Sequence, residues 1–215
     1  YYSDRFYIDG LAGYAKSDYD VKRKIFIPNV DGNTAVNNGN DLKANTKGSP
    51  DSDDYTISLG GGYYFGQGPL SYGPYARMTY LNVDVDDYKE KGAEDLGLNL
   101  YVDEQEWESL TSVLGGQIAY ASSQDFGVIT PQARAAWIHE FEDDDERLTA
   151  RYVDDPFKNK LIAFTDDPET NYYEVGVGVS AIFSNGVQAY ANYDTLLGID
   201  NLTVHYFSLG GRWDF

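Results

Sequence analysis

Eight stretches of this chain, each about ten residues long, alternate apolar and polar side chains, and one side of every stretch lacks Asp, Glu, Lys and Arg. They start near Arg5, Asp54, Tyr72, Glu108, Gly127, Tyr172, Gly186 and Thr203. A period of two is that of a β-strand, whose successive side chains point to opposite faces. The uncharged side reads Phe6, Ile8, Gly10, Ala12, Tyr14 in the first stretch and Phe207, Leu209, Gly211, Trp213, Phe215 in the last. The other side carries Asp9, Arg77, Gln117, Gln132, Arg134, Glu140, Glu174, Asp194 and Arg212. A basic side chain facing lipid at mid-depth costs roughly 2–4 kcal/mol, whereas one facing a wet lumen costs little. This sorting predicts an all-β fold, an antiparallel up-and-down transmembrane barrel with eight strands in this chain.

A soluble β-sandwich also alternates, but its apolar side should be dominated by large branched residues that meet a second sheet. Here the polar side also holds Gly60, Gly62, Gly115, Gly176, Gly178 and Gly210, which suits a thin polar interior. Aromatic residues gather at the ends of the uncharged stripes, among them Tyr14, Tyr63, Tyr80, Tyr120, Trp137 and Phe183, where headgroup-level girdles are expected. The connections alternate in length. "GQGPLS", "SSQDFG" and "SNG" are short, and Asn185-Gly186 is a two-residue hairpin signal. The segments at about 26–53, 87–107 and 142–171 are long and are expected to be extracellular loops of a single domain, 1–215. In the third strand the alternation slips after Tyr80, where Leu81, Val83 and Val85 take the polar side. A bulge would do this, and so would a strand continuing above the bilayer.

At 215 residues one domain is the working expectation. A net charge of −19 opposes binding to a phosphate backbone, so no nucleic-acid partner is expected. The absence of cysteine removes disulfides and thiolate metal sites and fixes no compartment. No apolar run reaches the roughly 18–20 residues of a spanning helix, a criterion that does not touch β-barrels. "YYSDRFY" has neither an initiator Met nor a signal peptide, which reads as a processed or excerpted chain.

Chemistry-bearing candidates are few. His139 and His205, the two histidines, fall in the uncharged register, and Glu140 beside His139 points to the other face, so neither reads as catalytic. "LGGGYYFGQG" resembles a phosphate loop only superficially, since no helix and no Gly-Lys-Ser/Thr follows. Dense carboxylates such as Asp84, Asp86, Asp87, Asp103, Glu104, Glu106, Asp143, Asp144, Asp145, Asp166 and Asp167 could hold a divalent ion bridging to lipopolysaccharide. They fit no EF-hand spacing, and solvated, mutually repelling loops explain them as well. Arg77, Arg134 and Arg212 among Asp9, Glu140, Glu174, Asp194 and Asp214 predict ion pairs inside the barrel, or a polar lining along which a passing chain slides. No cofactor, no metal and no enzymatic activity are expected.

Several stretches resemble the C-terminal translocator domain of autotransporters, the type V secretion barrel of Gram-negative bacteria. They are "ITPQARAAWIHEFEDD", "RLTARYVDDP", "FTDDPETNYYEVGVGVSAIFSNGVQAYANYDTLLG" and the terminal "LGGRWDF". Weaker similarity runs through "RFYIDGLAGYAKSDYDVKRKI" and "LSYGPYARMTYLNVDVDDY". The resemblance implies a twelve-stranded barrel in the outer membrane that anchors and translocates an N-terminal passenger. On that pattern the present chain begins at the fifth strand, without the first four strands, linker helix and passenger. The implied partners are outer-membrane lipid and lipopolysaccharide, the barrel assembly machinery and the passenger itself. Phe207, Leu209, Gly211, Trp213 and Phe215 resemble the C-terminal assembly signal of such barrels. The alternative function is a small outer-membrane barrel whose acidic loops bind cells, lipopolysaccharide or phage. An outer-membrane enzyme with carboxylates at the loop base is a third.

Overall fold

The computed structural model describes residues 5–28, 41–142, 147–165, 169–200 and 202–213. In chain order the strands are β1 (Phe6–Asp18), β2 (Val21–Ile27), β3 (Leu42–Gly48), β4 (Asp51–Tyr63), β5 (Phe65–Gln67), β6 (Leu70–Val85), β7 (Tyr88–Lys89) and β8 (Leu100–Val102). They continue as β9 (Gln105–Tyr120), β10 (Ser122–Gln124), β11 (Gly127–Glu140), β12 (Arg147–Tyr152), β13 (Leu161–Phe164), β14 (Asn171–Phe183), β15 (Val187–Leu197) and β16 (Val204–Trp213). No α-helix occurs among the described residues.

Eight of these strands form one antiparallel meander in the order β1-β4-β6-β9-β11-β14-β15-β16, curled into half a barrel. The short β5 and β10 extend it at the turn end. Among the described residues β1 ladders only to β4, and β16 only to β15. Each of the eight strands begins within three residues of the start read from alternation, because the two-residue period is strong wherever a strand separates two solvents. Cross-strand register lines the uncharged residues up in rows. One row runs through Ile8, Gly61, Ala76, Leu114, Trp137, Tyr173 and Leu197. These stripes are exposed, with Leu59 at 62 % and Val177 at 54 %.

The slip in the third strand is not a bulge. Between β6 and β9 Leu70 faces Tyr120 and Val85 faces Gln105, with every residue between them in step. The strand continues past Tyr80 and the character of its two faces exchanges. Asn82 and Asp84 follow Tyr80 on the outer side, in rows with Asp53, Glu106 and Glu108. Leu81, Val83 and Val85 follow on the inner side, and Val85 is buried.

Further structure stands at this end of the sheet. The segments expected as loops contain two further β-structures, the hairpin β2-β3 and a sheet ordered β13-β12-β8-β7. Most of the buried residues cluster at this end of the molecule, including Thr46, Glu90, Ala93, Asn99, Val102, Thr149 and Ala150. The strands of this cap are two to seven residues long, too short for alternation to announce them. Long-range contacts hold them together. Lys47 and Lys91 exchange backbone hydrogen bonds of 2.9 and 2.8 Å, tying the hairpin to the strand that follows β6. Beneath that bridge the Arg23 guanidinium donates to both oxygens of buried Glu90, through Nε at 2.9 Å, and to the Leu98 carbonyl at 2.8 Å.

Candidate functional site: a polar lumen behind an uncharged wall

The inner side of the half barrel is built from paired charges. Arg77 pairs with Asp9 and donates to Ser58 Oγ at 2.9 Å, which shares a 2.9 Å bond with Thr79. Arg134 bridges Glu174 at 2.7 Å and Asp194 at 3.0 Å, so three neighbouring strands are joined by one guanidinium. Gln132 donates to Asn192 at 2.9 Å, and Asn192 to Ser208 at 3.3 Å. Glu140 is buried near the cap and accepts from Ser109 Oγ at 2.6 Å and the Leu110 N–H at 2.8 Å. Arg212 takes the inward register of β16, opposite Gln188, and Asp214 lies outside the described residues.

Toward the turn end this surface opens into a cleft of about 1000 Å³ lined by Arg5, Gln117, Gln132, Arg134, Asn192 and Asp194. The amide nitrogen of Gln117 is buried there without a protein partner. The inward glycines make room for the lining. A Cβ at Gly115 would lie 2.4 Å from the Tyr75 ring, and one at Gly176 would lie 2.0 Å from the Asp194 carboxylate. Each glycine receives a long polar side chain laid across it from the next strand, which thickens the wall and leaves the cleft open.

The aromatic residues stand at two levels. At the loop end Tyr14 packs 5.2 Å from Tyr55 and donates to Asp53, Tyr80 donates to Glu108, and Trp137 Nε1 donates to Asn171 at 3.0 Å. At the turn end Tyr63 packs on Phe65 and Phe65 on Tyr72, Tyr120 faces Leu70, and Phe183 lies 6.0 Å from Phe126. On β16, Phe207, Leu209 and Trp213 are 79, 85 and 69 % exposed, and Gly211 shares their side. Phe215 lies outside the described residues.

His139 shares the Asn171 side-chain oxygen with Trp137 and packs edge-on to Phe141, while His205 pairs with the Tyr193 hydroxyl at 2.9 Å. Among the described residues the ring partners are Asn171 and Tyr193 and not carboxylates, and Glu140 faces the opposite way. Among the described residues no group of three or more His, Asp or Glu is set to hold a metal ion. The loop carboxylates instead serve the cap. Asp103 binds Arg151 at 2.8 Å and lies 3.8 Å from Lys160. Asp155 accepts from the N–H groups of Phe157 and Asn159, which hold its carboxyl below the usual range. Asp143, Asp144, Asp145, Asp166 and Asp167 lie outside the described residues.

Sequence reasoning did not find the Arg23–Glu90 pair, because the two residues are far apart in the chain and only the folded hairpin brings them together. The readable trace was the pair of alternating basic runs, "VKRKIF" and "YKEK".

The arrangement offers an uncharged outer wall, a polar inner wall and an organised cap at one end. It can sit in a bilayer and present a wet, charge-lined passage. No helix among the described residues is long and apolar enough to cross a membrane, a statement that does not bear on strands. No curated protein matches the chain. The family model of the autotransporter β-domain matches residues 1–194, nearly the whole of the meander. The chain therefore belongs to the autotransporter β-domain family, whose members are outer-membrane translocators and anchors of type V secretion and not catalytic domains.

Proposed function

We propose that this domain carries a passenger, attached on its N-terminal side, to the surface of a Gram-negative cell and then anchors it there. The observation that supports this most is the division of the strand faces. Arg77, Arg134, Asp9, Glu174 and Asp194 line the inside while the opposite faces carry no charge within the lipid band. A chain in transit would meet satisfied ion pairs that offer it exchangeable hydrogen bonds without trapping it. On this reading Tyr14, Tyr80 and Trp137 mark the outer headgroup level, and Tyr63, Tyr120 and Phe183 the inner one. Phe207, Leu209, Gly211, Trp213 and Phe215 present the last strand to the barrel assembly machinery.

The test is surface display. In the full-length protein, an epitope tag placed upstream of Tyr1 is expected to be digested by protease added to intact cells. A tag that stays protected until the outer membrane is permeabilised contradicts passenger carriage.

A further inference from the structure

The chain has nine lysines in a molecule of net charge −19, and six of them stand on one face of the cap. In the hairpin Lys22 is paired with Lys47, Lys24 with Asn45 and Phe26 with Lys43. Paired residues share a face, so Lys22, Lys24, Lys43 and Lys47 look the same way. Lys91 bridges Lys47 from the other side, and Lys89 is two residues before it, which adds both to that face. The opposite face holds Arg23, Thr46 and Glu90, and Thr46 and Glu90 are buried. All six lysines are exposed.

Like charges directly opposite each other weaken a strand pair. Here Lys22, Lys47 and Lys91 form such a row, about 10 Å across at the ordinary strand spacing. In so acidic a chain carboxylates are plentiful, yet of these six lysines only Lys43 has one within ion-pair distance among the described residues, Asp41 at 4.0 Å. Lys43 also lies over the Phe26 ring, and Lys89 over Tyr101. A cleft of about 810 Å³ beside the row is lined by Lys47, Lys89 and Lys91 with Ser49, Asn45 and Asp87. Glu94 acts on Lys91 from beyond ion-pair distance, and among the described residues no carboxylate pairs directly with Lys22, Lys47 or Lys91.

The direction of this face follows from register. Asp18 faces Asp51 in β1-β4 and Val21 faces Gly48 in β2-β3, and between them the Tyr19 N–H donates to the Pro50 carbonyl. No residue is inserted or lost at the break. The lysine face therefore continues the side of β1 and β4 that bears Tyr14 and Tyr55, the outward side. Eight residues separate Tyr14 from Lys22, which at about 3.3 Å each and a tilt of about 40° places Lys22 about 20 Å above the tyrosine level. Phospholipid headgroups add only about 5–8 Å to the hydrocarbon on each side. An anion at 20 Å must be borne on a longer headgroup.

We propose that the face formed by Lys22, Lys24, Lys43, Lys47, Lys89 and Lys91 binds the phosphorylated saccharide of an outer-leaflet glycolipid, lipopolysaccharide in a Gram-negative cell. The proposal rests on the outer-membrane reading for the ligand it chooses, and deepens it by assigning the site.

The experiment measures retention of purified lipopolysaccharide by the full-length protein in detergent, as a titration read by native mass spectrometry. The triple variant Lys22→Gln, Lys47→Gln, Lys91→Gln is expected to weaken binding at least about tenfold. Dephosphorylated lipopolysaccharide is expected to bind the wild-type protein as weakly as the triple variant binds the intact lipid. Equal binding by wild type and triple variant overturns the proposal. So does equal binding of the dephosphorylated lipid, or tighter binding of a soluble sulfated polysaccharide than of lipopolysaccharide. Heat-modifiable gel migration verifies that each variant is folded, and Lys24→Gln with Lys89→Gln replaces the triple variant if it is not. Failure of passenger carriage appears separately, as a protected epitope tag with lipopolysaccharide binding intact.

Discussion

Gly115 and Gly116 are adjacent on β9 and look to opposite sides of the wall, so the same substitution at each should act with opposite sign. At Gly115 an added Cβ would sit 2.4 Å from the Tyr75 ring. Ordinary carbon contacts begin near 3.5 Å, so the ring must retreat by about 1 Å. Overpacking of this kind costs about 1–3 kcal/mol. At Gly116 nothing lies within 4 Å of the new methyl, which enters hydrocarbon. Alanine there restricts the unfolded chain without straining the folded one, a gain of about 0.4–1 kcal/mol. Gly115→Ala and Gly116→Ala should thus differ by roughly 1.5–4 kcal/mol, about tenfold to a thousandfold in the unfolding equilibrium. Urea unfolding of the full-length protein in phospholipid vesicles, followed by heat-modifiable migration, measures both. If the two variants shift the midpoint in the same direction, or Gly116→Ala is the more costly, the assignment of inner and outer faces is wrong.

Val177→Arg places a cation at the middle of an outward stripe and should cost about 2–4 kcal/mol in the same assay, whereas Gln132→Arg, inward on the neighbouring strand, should cost under about 1 kcal/mol. Equal costs would contradict a lipid-facing wall. Glu90→Gln should loosen the cap by about 1–3 kcal/mol and expose β7 and β8 to protease, leaving heat-modifiable migration of the barrel unchanged. Burial alone would raise the Glu90 carboxyl, but the hydrogen bonds from Arg23, the Leu100 N–H and Thr46 outweigh it and hold the group below its usual range. A depressed folded value means that its contribution is complete above the unfolded glutamate range, near pH 4.3, and is lost as pH falls through the folded value. Hydrogen exchange in β7 and β8 should therefore rise on acidification below about pH 4. A cap that loosens instead as pH rises from 5 to 7 would refute this account.

The meander was legible because a strand between hydrocarbon and water must sort its side chains residue by residue, and Val175, Val177 and Val179 against Glu174, Gly176 and Gly178 display that sorting without help from any partner. The cap was not legible for the opposite reason. Its strands answer to one another: Arg23 needs Glu90, and Lys47 needs Lys91, across stretches of chain that no periodicity spans. The ambiguity after Tyr80 came from the same source. Leu81, Val83 and Val85 keep their register while burial increases along them toward the cap end, from exposed Leu81 to buried Val85. The basic face was half visible, since Lys22-x-Lys24 and Lys89-x-Lys91 each announce a side, but only pairing puts them on the same one.

The exchange of character along β6 also sets how deep the molecule floats. Sinking by two residues would drag Asp53, Asp84 and Glu106 below the waterline into oil, and rising by as much would strand Leu110, Ile57 and Ala12 in brine. Both displacements are uphill, so vertical position is fixed by the wall itself, and the cap is held at a constant altitude over the leaflet without any tether.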